Sequence, residues 1–289
     1  MLDDPAFKEL SAFLSNRERQ SNYFTTQLNK HGKSFYEQVN IFENNSFEMI
    51  INDITKQEKT RLLKQEITGN IAHELRTPVT SIRGYLEIIL SQSPDSEKTR
   101  DFLEKTYHQA LVLAELIQDM RLITKIEGAP QSFQLESVRL TDLLEDLQED
   151  FNILLKENNI HMLWNINNDI IIRGNHSLLY SVFRNLTDNV IRYAGKNVNI
   201  HIHKYNEDKD FYYFSYSDTG AGIPDEHHLN RLFERFYRVN EGRTRDSGGS
   251  GLGLSIVKNA VLFHKGTIVA KNRTGGGLEF LFKLPRHTI

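Results

Sequence analysis

From Glu58 onward, apolar positions fall into a helical rhythm. Leu63, Ile67, Ile71, Leu75, Val79, Ile82, Leu86 and Ile89 stand three or four residues apart, one stripe along a single long helix. Ser91-Gln92-Ser93-Pro94-Asp95 breaks the rhythm, and a second stripe follows: Phe102, Thr106, Ala110, Leu113, Ile117, Met120 and Ile123. Two long amphipathic helices joined by a short loop predict an antiparallel hairpin. One hairpin offers only two apolar stripes, so pairing with a second copy into a four-helix bundle is the expected way to bury them. Gly128-Ala129-Pro130 then reads as a linker.

Beyond the linker, helical and alternating patterns take turns. A helix is predicted over about Thr141–Glu157, then strands over Ile160–Asn165 and Ile170–Arg173. A helix capped by Asn175 reaches about Ala194, followed by strands Asn197–Tyr205 and Phe211–Asp218. After a glycine-rich loop come a helix around Leu252–Phe263 and strands near Thr267–Lys271 and Leu278–Leu284. Hairpin-length turns between the late strands predict a mixed or antiparallel sheet in an α/β sandwich. Before Glu58, a helical stretch precedes two β-rich runs, Ser34–Phe42 and Ser46–Ile51, with Asn44-Asn45 as their turn. Such a hairpin buries too little to be a domain of its own. The expected fold class is therefore α + α/β: residues 1–57 as a remnant and linker, 58–127 as the helical hairpin, and 128–289 as the sandwich.

Composition removes several function classes. The 289 residues hold no cysteine, which excludes disulfides, zinc ribbons and a thiol nucleophile. A formal charge of -3 gives no field for nucleic acid or an anionic membrane, and no direct nucleic-acid partner is expected. No apolar run reaches the roughly 20 residues of a spanning helix.

Five segments carry candidate chemistry. His73, in His73-Glu74-Leu75-Arg76-Thr77-Pro78, lies about 200° around the helix from Ile71, so its imidazole should face solvent. A solitary surface histidine is ordinarily just solvated. Here Glu74 can hold one ring nitrogen as N–H and leave the other nucleophilic. Thr77 lies one turn on, and Pro78 removes a backbone donor beside them. The string starts like the zinc-protease H-E-x-x-H, but Thr77 replaces the second ligand.

Asn185, Asn189 and Arg192 share one face of the helix after Asn175; amide oxygens there suit a hydrated Mg²⁺ and a guanidinium suits phosphate, though a merely polar face is equally consistent. Asp218-Thr219-Gly220-Ala221-Gly222 ends a strand with a carboxylate able to accept from a base's amine. Ser247-Gly248-Gly249-Ser250-Gly251-Leu252-Gly253 opens a helix whose amides suit phosphate, but it lacks the lysine of a P-loop. Between these glycine loops, Phe233 to Arg238 and the polar Asn240–Ser247 suit a lid.

In this order, these segments resemble the sensor histidine kinases of two-component signalling, over about residues 60–287. The His73 string looks like their phosphoacceptor box. Asn185 to Tyr193 looks like the asparagine box, with Val190 where alanine is common. Asp218 to Gly222 and Gly249 to Gly253 look like the glycine boxes, and Phe233 to Arg238 like the phenylalanine box. Gly275-Gly276-Gly277 resembles the final glycine turn, with Leu278-Glu279 in place of Gly-Thr.

The resemblance implies a Bergerat-type domain that binds ATP with Mg²⁺, autophosphorylation on His73, and relay to an aspartate of a cognate response regulator. It implies Asn189 and Asn185 at the metal, Asp218 at adenine, and Gly220, Gly222, Gly251 and Gly253 in close backbone approach. Arg192 and one of Arg235 or Arg238 would face phosphate, with Tyr193, Phe233, Gly249 and Leu252 completing the site. Glu74 would assist His73, and Thr77 would serve a phosphatase reaction. Asp53-Ile54-Thr55 resembles the exit of a PAS sensor domain, implying a cytoplasmic piece of a longer sensor anchored in the inner membrane. A stand-alone ATPase or chaperone of the same nucleotide fold, and a non-catalytic dimeric scaffold, are the alternatives.

Overall fold

The structure, a computed structural model, describes residues 5–16, 21–44, 46–92, 94–239 and 249–286; the side chains of 5–7, 60 and 63–68 are outside that set. Asn45 and Ser93, the stripe side chains Leu63 and Ile67, and the expected lid Asn240–Ser247 with Gly248 therefore lie outside the described residues. The chain forms two compact units, Met1–Ala72 and His73–Ile289.

In the first unit, helix α1 (Pro5–Ser15) precedes strands β1 (Tyr23–Lys30), β2 (Lys33–Ile41) and β3 (Phe47–Asp53), an antiparallel sheet in that order. The expected two-stranded hairpin is thus a three-stranded sheet. β1 was hidden because Thr25, Thr26, Gln27 and Asn29 dilute its alternation; its partner β2 completes the pairing. Val39 and Ile41 are buried, and Phe13 stacks on Phe24. Helix α2 (Thr55–Gln92) starts three residues before Glu58 because a polar turn builds its first coil. Asp53 accepts from the Thr55 amide (3.0 Å), and Thr55 Oγ1 accepts from the Ser34 amide (3.0 Å), tying β3, β2 and α2 together.

The second unit begins within α2, at His73. Asp95 caps helix α3 (Ser96–Gly128) by accepting from the Lys98 amide, and the Ala129-Pro130 linker ends it. Within this unit α3 packs on the sandwich. The α3 stripe is also rotated from the expected one. Leu116, Asp119, Ile123 and Ile126 are buried, whereas Ile117 is exposed.

The sandwich has a mixed five-stranded sheet and a two-stranded one. The small sheet pairs β4 (Glu136–Arg139), which the sequence pattern did not predict, with β6 (Ile171–Gly174). The large sheet runs β5 (His161–Asn165), β7 (Asn199–Glu207), β8 (Phe211–Asp218), β10 (Leu278–Pro285), β9 (Ile268–Asn272). Only β5–β7 is parallel within it. The helix expected over Thr141–Glu157 is two, α4 (Leu140–Asp150) and α5 (Asn152–Glu157), separated at Phe151.

Helix α6 (His176–Tyr193) starts where the Asn175 side chain accepts from the Leu178 amide. Its Leu179, Val182, Phe183, Leu186 and Val190 are buried against the sheet and α7 (Gly253–Phe263). Phe183, Phe214 and Phe282 form the centre of this core. His264, buried at the end of α7, receives the Asn175 amide on Nε2 (2.9 Å) while Nδ1 faces the Ala260 carbonyl. It is a structural histidine, and burial lowers its pKa.

Candidate active site

Two features of the second unit carry chemistry: an exposed histidine on α2 and a cavity at the ends of α6 and α7. His73 is exposed, and its Nδ1 lies 3.7 Å from Glu74 Oε1, near but beyond a hydrogen bond. Thr77 Oγ1 donates to the His73 carbonyl at 3.4 Å, so this hydroxyl is tied back into its own helix. Pro78 is buried within α2.

The cavity, about 670 Å³, is lined by five segments among the described residues. From α6 come Asn185, Asp188, Asn189, Arg192 and Tyr193; the loop after β8 supplies Gly222, Ile223 and Pro224. Leu232, Tyr237, Arg238 and Val239 form another wall, and Gly249, Ser250, Gly251, Gly253 and Leu254 close it at the start of α7. The fifth segment was not foreseen: Glu115 and Asp119 of α3.

Several glycines are required by space. A Cβ on Gly253 would come within 2.8 Å of Asn185 Oδ1, and one on Gly251 (φ 69°) within 2.8 Å of the Phe236 backbone. Asn185 donates its Nδ2 to the Ser181 carbonyl (2.8 Å), which leaves Oδ1 toward Gly253 and the cavity wall. Amide oxygens, bare backbone and guanidinium in one concave wall fit a metal-bound polyphosphate.

Arg192 donates to Asp188 (2.6 Å) and lies 3.7 Å from Glu115. Arg238 lines the cavity, whereas Arg235 is outside its described lining and pairs with Glu127 of α3. Asp218 is buried and outside the described lining: Oδ1 accepts from the Gly220 amide (2.8 Å) and Oδ2 from the Leu278 amide (3.3 Å), and burial raises its pKa. Gly220 packs against Ala194 and is likewise outside the described lining. Phe233 packs edge-on against Phe280, and Leu252 joins a cluster with Leu116, Ile123 and Ile256.

Thus the structure gathers Asn185, Asn189, Arg192, Tyr193, Gly222, Arg238, Gly249, Gly251 and Gly253 around one cavity. Asp218, Gly220, Phe233, Arg235 and Leu252 are outside its described lining. Asp188 was missed although its i,i+4 spacing to Arg192 signals an ion pair. Glu115 and Asp119 carry no local signal, because only tertiary packing brings α3 here.

Comparison with known proteins decides the family. Residues 63–129 match the His Kinase A (phospho-acceptor) domain, and residues 174–288 match the histidine kinase-, DNA gyrase B- and HSP90-like ATPase domain. The chain belongs to the sensor histidine kinases. It is 31% identical over 240 residues to the sensor histidine kinase WalK of Bacillus subtilis, covering 82% of this chain and 39% of that protein. It is 32% identical over 241 residues to the phosphate regulon sensor protein PhoR of Haemophilus influenzae, covering 83% and 56%. The chain therefore spans roughly two-fifths to just over half the length of these curated relatives.

Among solved structures, the histidine kinase ThkA in complex with the response regulator protein TrrA shares the fold at a TM-score of 0.61 and 22% identity, covering 99% of this chain and 85% of that one. The histidine kinase AdeS of Acinetobacter baumannii does so at 0.60 and 24%, covering 75% and 98%. Among the described residues, no helix is long and apolar enough to cross a membrane.

Proposed function

We propose that this chain is the kinase portion of a longer sensor, phosphorylating itself on His73 from ATP and passing the phosphoryl group to an aspartate of a response regulator. One observation carries the reading. A phosphoacceptor-domain match surrounds an exposed histidine, and the same chain holds an ATPase-domain match around a cavity suited to polyphosphate.

Neutral His73 attacks the γ-phosphorus. A nitrogen–phosphorus bond forms as the bond to the bridging oxygen breaks and ADP leaves. A small rotation lets Glu74 take the Nδ1–H hydrogen bond, which keeps the lone pair on Nε2 for attack, and Glu74 accepts the Nδ1 proton as the ring is phosphorylated. Such transfers pass through a loose transition state, so positioning and charge neutralisation carry most of the rate. Asn189 and Asn185 are the residues to hold Mg²⁺, which when bound neutralises charge on the phosphates. Arg192 and Arg238 face those phosphates. Each oxygen of Asp218 holds one backbone amide and keeps a lone pair for the adenine amine.

A homodimer fits the half-covered stripes of the hairpin, where Val79 and Leu86 of α2 and Ile117 of α3 remain exposed. Thr77 is the residue to position water when a phospho-regulator docks.

Incubation with γ-³²P ATP tests the reading against its rivals. Protein-bound label that is acid-labile and base-stable is the expected outcome. Release of free phosphate without label would indicate an ATPase of the same fold, and neither product would indicate a scaffold.

A further inference from the structure

Among the described residues three carboxylates line the cavity, and two of them do not belong to the nucleotide-binding domain. Glu115 and Asp119 stand one turn apart on the same face of α3. Glu115 places Oε1 3.6 Å from Arg184 Nη2 and Oε2 3.7 Å from Arg192 Nη2, while Arg192 also donates from Nε to Asp188. Asp119, buried, accepts from Ser250 Oγ at 3.2 Å, within the glycine loop. Below this polar layer, Leu116 and Ile123 of α3 pack with Leu252 and Ile256, all four almost completely buried, and Leu75, two residues past His73, packs against them.

We propose that α3 is an internal latch on the nucleotide site, with Glu115 standing in for phosphate, so that a nucleotide triphosphate and the docked α3 compete for the Arg192 guanidinium. The inference rests on the reading of this cavity as a nucleotide site. Arg192 lines the cavity, and its fork already serves two carboxylates. A triphosphate entering the same space brings several anionic oxygens toward the guanidinium and, at the same time, toward Glu115, Asp119 and Asp188. Attraction to Arg192 weakens the Glu115 pair, and like-charge repulsion pushes on the α3 carboxylates. Both effects favour release of α3.

The apolar cluster resists that release, because separating the helices exposes Leu116 and Ile123. By reciprocity, whatever nucleotide does to the latch, the latch does to nucleotide affinity. His73 is outside the described cavity lining, whereas Glu115 and Asp119 of α3 are within it.

Isothermal titration of the full chain with adenosine 5′-(β,γ-imido)triphosphate and, separately, adenosine tests this. Glu115→Gln removes the charge and keeps the shape, while Leu116→Ala keeps every charge and loosens the packing. Ile123→Ala replaces the second variant if it melts early. Each variant is expected to tighten triphosphate binding by at least about threefold while leaving adenosine unchanged. Unchanged triphosphate affinity in both, with wild-type binding intact, would overturn the latch and leave the nucleotide site standing. A gain in only one variant would also overturn it, since charge or packing would then act alone. Failure of the wild type to bind triphosphate at all would remove the nucleotide reading itself, and the latch with it.

Discussion

Asp119 shows how one buried side chain sets a pH response. Burial first, and then the neighbouring Glu115 charge, push its carboxyl up to about 6 from an ordinary 3.8; the Asp188 charge acts in the same direction, while the Ser250 hydroxyl and Arg184 oppose it. The folded state therefore holds this proton more tightly than the unfolded chain. Its stabilisation is complete below about pH 4 and is lost as pH rises through about 6. Asp119→Asn, neutral at every pH, should melt above the wild type at about pH 7.5 and match it near pH 4, a gain of ~1–3 kcal/mol at most. His264 acts with the opposite sign, favouring the fold as pH rises past its ordinary range, and cancels between the two proteins. An identical pH decline in both proteins would refute the assignment.

Thr77 gives a second prediction at this scale. Its bond to the His73 carbonyl is long, so the hydroxyl can exchange it for a water. Thr77→Ala should leave histidine phosphorylation near normal and slow dephosphorylation of the phospho-regulator. An equal fall in both rates would make Thr77 structural. The asparagines, arginines and glycines around the cavity were legible as residues because their chemistry is unusual for a helix face or a loop. Glu115 and Asp119 were not, since two carboxylates on an exposed-looking helix differ in no way from solvated ones until α7 packs against them.

At the level of elements, legibility followed the strength of the apolar period. The α2–α3 loop, the Asn175 cap, and strand β8 at Phe211–Asp218 lie where the pattern put them. β1 escaped because its outward residues are polar and its inward ones few, and β4 because Val138 is its single apolar residue. The α4–α5 break at Phe151 has no glycine or proline to announce it. The α3 stripe turned because one helix must serve two neighbours: α7 takes Leu116 and Ile123, while Leu113 and Ile117 remain for another partner. The hairpin face left over is the expected seam with a second copy. Leu86→Glu, a charge on that seam, should convert a dimer into monomers in sedimentation equilibrium without loss of helical signal. A monomeric wild type, or a variant that stays dimeric, would contradict the four-helix arrangement.

At the scale of the molecule, the proposed function joins a nucleophile on α2 to a polyphosphate cavity on the sandwich and uses one histidine among eleven. That choice rests on exposure, the adjacent Glu74 and the phosphoacceptor-domain match, whereas His264 is buried in a backbone-bonded structural role. Because His73 lies outside the described cavity lining, its loss should not impair nucleotide binding. The most direct measurement is therefore the labelling of His73→Gln with γ-³²P ATP beside its affinity for a non-hydrolysable ATP analogue. The account predicts that acid-labile label disappears while the affinity stays within about twofold of the wild type. Acid-labile label retained in that variant would show that another residue is the phosphoacceptor.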